Sequence, residues 1–94
     1  MNEASVTRHL AVHGRVQGVG YRYAMVRAAQ RFGVTGWVRN RVDGTVEAVV
    51  QGPPAAVESI VAWARAGPDA AIVDRVEVAE AHGTYRSFES RPTA

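Results

Sequence analysis

The sequence predicts an α+β fold in which one largely antiparallel sheet is covered on one face by two helices. Three observations carry that prediction. Tyr21, Ala24, Met25, Ala28, Ala29 and Phe32 recur at helical spacing, and so do Val57, Ile60, Val61 and Ala64. Strand-like runs lie on either side of each helical stripe. Asp43-Gly44 splits the middle pair of runs and is a hairpin turn signal. With 94 residues, 47% of them hydrophobic, the chain supports one core and is too short for two. Residues 1–94 therefore read as a single domain.

Val6 to His13 alternates, with Val6, Arg8, Leu10 and Val12 on one face and Thr7, His9, Ala11 and His13 on the other. That is a strand with a mostly apolar inner face. The stripe from Tyr21 to Phe32 leaves Arg27, Gln30 and Arg31 outside it, and Gly33 stands where a glycine ends a helix. Val34 to Asn40 and Thr45 to Gly52 read as the two strands of the hairpin, with Val46, Ala48 and Val50 sharing a face. Pro53-Pro54 suits a helix start, because the first helical residue has no use for its N–H, and Gly67-Pro68 ends that helix. Ile72 to Ala81 predicts a fourth strand with Val76 and Val78 inward, and Tyr85 to Arg91 a short fifth. Residues 1–5 and 92–94 are expected to fray, leaving an ordered core of 6–91. The order β-α-β-β-α-β with a terminal strand is that of a ferredoxin-like α/β sandwich. Such a fold hosts many functions, so function has to come from a site.

Composition excludes several chemistries. All 11 basic residues are arginine. Without lysine there is no Walker-type phosphate loop and no Schiff-base catalysis. Without cysteine there is no disulfide framework and no thiolate chemistry. A net charge of +2 does not by itself imply a nucleic-acid partner. No apolar run approaches the ~20 residues of a membrane span. Met1-Asn2-Glu3-Ala4-Ser5 lacks the basic and apolar blocks of a secretion signal, so the expectation is a cytoplasmic protein with no membrane partner. His9 and His13 share a strand face but lie too far apart on an extended chain for a simple metal pair, and His82 is remote in sequence. Neither a metal site nor a cofactor is expected. Glu47, Glu77, Glu80 and Glu89 read as solvated strand residues, Arg15, Arg39 and Arg41 as exposed, and Trp37 and Trp63 as core or core-edge.

The chemistry concentrates in Gly14-Arg15-Val16-Gln17-Gly18-Val19-Gly20-Tyr21-Arg22, which follows the first strand and opens the first helix. A helix N-terminus presents unpaired N–H groups and partial positive charge. An arginine in that first turn is locally unfavourable unless a strong anion sits between the guanidinium and the loop amides. A phosphate-sized dianion fits. Asn40 closes the strand that follows the helix, just before the hairpin turn, and that end of the strand should meet the glycine loop.

A second segment, Gly36-Trp37-Val38-Arg39-Asn40 followed after three residues by Gly44-Thr45-Val46 and then by Gly52, has its own pattern. With both motifs in this order, the chain resembles the acylphosphatase family along nearly its full length. The resemblance implies that Arg22 binds the phosphate, that Asn40 positions the attacking water, and that the backbone amides of Val16, Gln17, Gly18, Val19, Gly20 and Tyr21 form the phosphate cradle. It implies a small-molecule acyl phosphate as substrate, inorganic phosphate as product and competitive inhibitor, and a monomer. Two positions depart from the family pattern. Arg41 stands where a small hydroxyl residue is common, with consequences for local charge. Ser90 stands where an apolar residue is commoner, a change expected to touch edge-strand stability more than chemistry.

Residue chemistry supports the same reading. The leaving group of an acyl phosphate is a carboxylate with a pKa near ~4, so it needs little or no general acid at neutral pH. Phosphoryl transfer then rests on positioning and on fixed donors aimed at the equatorial oxygens. An arginine fork, a ring of amides and one water-orienting carboxamide suffice, without a metal or a covalent intermediate. The competing reading is a non-catalytic module that binds a phosphorylated metabolite or RNA phosphates, although the usual exposed sheet aromatics are few here. A third is an acylphosphatase-like domain of a larger assembly, as in hydrogenase-maturation proteins, against which the length and the absence of zinc motifs argue. Gln17 faces either solvent or ligand on the sequence alone.

Overall fold

β1 (Val6–Arg15) runs between two antiparallel neighbours, β3 (Val46–Gly52) and β4 (Ile72–Glu80). β3 pairs on its other side with β2 (Thr35–Asn40), and β5 (Phe88–Ser90) completes the sheet order β4-β1-β3-β2-β5. The helices α1 (Tyr21–Phe32) and α2 (Pro54–Ala66) cover one face, α1 over β2 and β5 and α2 over β1, β3 and β4. This is a computed structural model, and it describes residues 4–94. Among those residues no helix is long and apolar enough to cross a membrane.

The core forms where the apolar faces converge. Leu10 and Val12 of β1, Val38 of β2 and Val46, Ala48 and Val50 of β3 meet Met25, Ala28 and Ala29 of α1 and Val57, Ile60 and Ala64 of α2. Truncating a fully buried member such as Leu10 or Ile60 to alanine costs about 2–5 kcal/mol. Gly33 ends α1, its N–H bonded to the Gln30 carbonyl. Pro54 opens α2 as its first residue, with Pro53 just outside.

The sheet is largely antiparallel, with β5 parallel to β2, pairing Gly36 with Phe88 and Val38 with Ser90. Three expectations change. β5 is shorter than expected, because Tyr85 turns its N–H to the Gln51 side chain instead of to a strand. Val78 is 41% exposed although Val76 is buried on the same strand face. It borders an open groove with Val57, Val61 and Arg65, where α2 does not close over the end of β4. Ala94 is held rather than frayed: its N–H donates to the Asn40 carbonyl at 3.2 Å and its carbonyl accepts from Val42 at 3.3 Å. The fraying expected at residues 1–3 lies outside the described residues.

Candidate active site

The loop of residues 16–20 leaves β1 and enters α1 under three constraints. Val16, 1% exposed, plugs its start into the core. Gly18 and Gly20 adopt φ of +72° and +78°, a region that side-chain-bearing residues avoid, and a Cβ at either would meet nothing within 4 Å. Backbone shape, not space, requires glycine there. At the far end Tyr21 is buried and its hydroxyl donates to the Ala64 carbonyl at 2.7 Å. That carbonyl would bond the N–H four residues on in a continuing helix, and the residue there is Pro68. Burial pushes the Tyr21 hydroxyl pKa well above its ordinary value.

The loop is also tied sideways to the β2–β3 hairpin. Gln17 Nε2 donates to the carbonyls of Arg41 at 2.8 Å and Thr45 at 2.9 Å. The turn is itself braced: Asp43 Oδ1 accepts from the Thr45 N–H at 2.9 Å and from its hydroxyl at 2.6 Å. These bonds hold the Asp43 carboxyl pKa below its ordinary value. The Gln17 side-chain nitrogen is thus engaged by the hairpin.

No side chain caps α1, and its first turn holds no acidic residue. The first backbone bond of the helix runs from Ala24 to Gly20. Among the described residues, none of the amides of residues 16–20 donates to another backbone group. The loop therefore carries a set of unspent donors at the positive end of a helix dipole.

A cavity of about 440 Å³ opens in front of them, lined by Val16, Gly18, Gly20 and Tyr21 from the loop and helix start, by Arg22, and by Asn40 from the end of β2. Both polar side chains are half-buried. Among the described residues the Arg22 guanidinium has no ion pair or hydrogen bond. Arg22 and Asn40 are brought together on one cavity. Gln17 and Val19 do not line it, since Gln17 turns to the hairpin and Val19 packs against the core. The remaining wall is Tyr23, Val26 and Ser90. Tyr23 and Val26 are not singled out by the sequence, and Ser90 is expected there to matter more for edge-strand stability than for chemistry. The signal was present for Ser90, because strand alternation puts it on the same side as Phe88, and a buried Phe88 aims both at α1. Ser90 therefore belongs to the cavity and is more than an edge-strand residue.

The opposite sheet face holds a charged network around Glu47, where a solvated side chain was expected, while Glu77, Glu80 and Glu89 are exposed as expected. Glu47, with 15% of its side chain exposed, accepts from His9 at 2.7 Å, from Arg39 at 2.7 Å and from Arg41 at 3.1 Å. Burial alone would raise its pKa, but the hydrogen bonds from His9, Arg39 and Arg41 bring it down to about 2. Arg39 and Arg91 also stack over Trp37, their guanidinium carbons 4.8 and 4.9 Å from the ring centroid. His13 bonds Glu77 at 2.6 Å. Among the described residues no group of three or more His, Cys, Asp or Glu side chains is placed to hold a metal ion.

Comparison with known proteins places the chain in a family. A family model described as Acylphosphatase matches residues 8–90. An acylphosphatase of Acidovorax sp. (strain JS42) is 58% identical over 91 residues, covering 96% of this chain and 94% of that protein. Among solved structures, an acylphosphatase from Coxiella burnetii matches with a TM-score of 0.89 at 33% identity, covering 93% of each chain. The acylphosphatase from Bacillus subtilis matches with a TM-score of 0.87 at 34% identity, covering 92% of this chain and 98% of that one.

Proposed function

The chain belongs to the acylphosphatase family, and on that premise we propose how its own residues divide the work. The reaction is hydrolysis of an acyl phosphate to a carboxylate and inorganic phosphate. Arg22 grips the phosphoryl oxygens with its planar fork, assisted by the backbone amides of residues 16–21. Asn40 holds the attacking water in line with the P–O bond that breaks. As that bond lengthens, charge gathers on oxygens already faced by fixed donors, which need no reorganisation at the moment of reaction. The carboxylate leaves unprotonated, its pKa near ~4, so no general acid is required. Water adds to phosphorus directly, with no phosphoenzyme. The same reading takes residues 1–94 as one monomeric, cytoplasmic domain, with inorganic phosphate as a competitive inhibitor and no nucleic-acid partner.

The observation that supports this reading most is the convergence of Arg22, Asn40 and the glycine loop on one cavity, beside amides left unpaired. The test is hydrolysis of an aromatic acyl phosphate in excess chelator by the wild type, Arg22→Ala and Asn40→Ala, with phosphate inhibition measured alongside. Arg22→Ala should lose both turnover and phosphate binding. Asn40→Ala should lose turnover and keep phosphate binding. Loss of phosphate binding in the Asn40 variant, or full activity in either, would break the division of roles.

A further inference from the structure

We propose that Tyr23, Val26 and Ser90 form the subsite for the acyl group, and that Ser90 makes it favour acyl groups bearing a hydrogen-bonding substituent next to the carbonyl carbon. The inference rests on the division of roles just described and extends it from the phosphoryl end to the leaving group. About 440 Å³ falls in the range of pockets that hold whole small molecules, ~300–1,000 Å³, so the cavity extends beyond a phosphate. Its polar donors, Gly18, Gly20, Arg22 and Asn40, account for one part of the lining. The other part comes from two elements packed against each other, α1 and β5.

On α1, Val26 follows Tyr23 by three residues and Arg22 by four, so all three share a helix face. On the sheet, the parallel register sets Ser90 opposite Val38, one inward-facing position before Asn40 on the neighbouring strand. A group joined to a phosphoryl held by Arg22 and faced by Asn40 therefore runs along Val26 and the Tyr23 ring toward Ser90. The Tyr23 hydroxyl is engaged outward, accepting from Arg27 Nη1 at 3.1 Å. Among the described residues the Ser90 hydroxyl has no hydrogen-bond partner. It is an exposed donor and acceptor beside the Val26 side chain and the Tyr23 ring. A purely hydrocarbon acyl group strips water from that hydroxyl and gives nothing back, whereas a 2-hydroxyacyl group replaces the lost bond.

The experiment compares kcat/KM for propionyl phosphate and 2-hydroxypropionyl phosphate in the wild type, Ser90→Ala and Ser90→Thr, with the inhibition constant of inorganic phosphate in each. The wild type should prefer the hydroxylated substrate about fivefold or more, the Thr variant should keep the preference, and the Ala variant should lose it. Phosphate inhibition should be the same in all three. Equal kcat/KM for the two substrates in the wild type, or an unchanged preference in Ser90→Ala, overturns the subsite while leaving the roles of Arg22 and Asn40 intact. Hydrolysis of neither substrate by the wild type overturns both proposals together.

Discussion

Gln17 is bonded to Arg41 across the gap between the glycine loop and the β2–β3 hairpin, its Nε2 donating to the Arg41 carbonyl at 2.8 Å. The same nitrogen reaches Thr45 at 2.9 Å, so one side chain joins the glycine loop to both sides of the β2–β3 turn. Arg41 follows Asn40 directly, so the clamp holds the chain one residue from the Asn40 carboxamide. Gln17→Leu unties the loop from the turn and removes one donor from each carbonyl, although the Arg41 carbonyl keeps the Gly44 N–H and the Thr45 carbonyl keeps the Arg41 N–H. It should lower stability by about 1–2 kcal/mol in urea denaturation. It should also lower kcat by about 10–100-fold while phosphate inhibition shifts far less, because the aim of the water suffers and the anion grip does not. A parallel loss of phosphate affinity would show that Gln17 supports the cradle instead.

Arg22→Lys tests whether the cavity needs a fork or only a charge. An ammonium keeps the charge but cannot donate two parallel bonds to a phosphoryl group. The variant should fold normally, since Arg22 has no partner among the described residues to lose. Its kcat/KM should fall by about 100-fold or more. Retention of near wild-type activity would mean that point charge alone suffices.

Glu47 should make the fold acid-sensitive. Its folded pKa, about 2, lies below the ordinary carboxylate value of 4.5. A group whose folded value is depressed stabilises above its unfolded value and loses that contribution as pH falls toward the folded one. The contribution is therefore complete at neutral pH and disappears between about pH 5 and pH 2, amounting to about 1–3 kcal/mol. Glu47→Gln should be less stable at pH 7 and should show a flatter stability curve through that acid window. Chemical denaturation at a series of pH values reads both. An acid limb as steep as that of the wild type would assign the sensitivity to other carboxylates.

The parts of the molecule that were legible in sequence are those fixed by local pattern. The 3.6-residue stripe from Tyr21 to Phe32 and the Asp43-Gly44 turn report directly on backbone conformation, and both lie where expected. Arg22 and Asn40 stood out because each conflicts with, or closes, its own element. Long-range pairings were not legible. Nothing near Glu47 in sequence reveals His9 across the sheet, since that contact depends on the β1–β3 register. Ser90 was underrated for the same reason: its importance comes from β5 lying beside β2 and under α1, not from its neighbours in the chain. Val78 misled in the opposite direction, because alternation gives the face of a residue but not whether a helix covers it.

Tyr21 joins the start of α1 to the end of α2, and its removal should separate stability from catalysis. Tyr21→Phe keeps the ring, including its packing 5.4 Å from the centroid of Trp63, and deletes only the hydroxyl. The Ala64 carbonyl then has no donor, because Pro68 offers no N–H. A buried acceptor left unpaired costs about 1–3 kcal/mol, and each kcal/mol lowers Tm by about 4–8 °C in a domain of this size. The loop conformation is still set by Gly18, Gly20 and Gln17, so kcat at 25 °C should stay within about twofold of wild type. The hydroxyl also leaves a signature in alkali. Its folded pKa is raised, so its stabilising contribution is complete below the unfolded value of 10.0 and is lost as pH climbs above it. Wild type should therefore lose stability above about pH 10 more steeply than Tyr21→Phe, the two curves converging as pH rises. Parallel alkaline limbs, or a large loss of kcat in the Phe variant, would show that the hydroxyl acts otherwise than as a neutral tether between the helices.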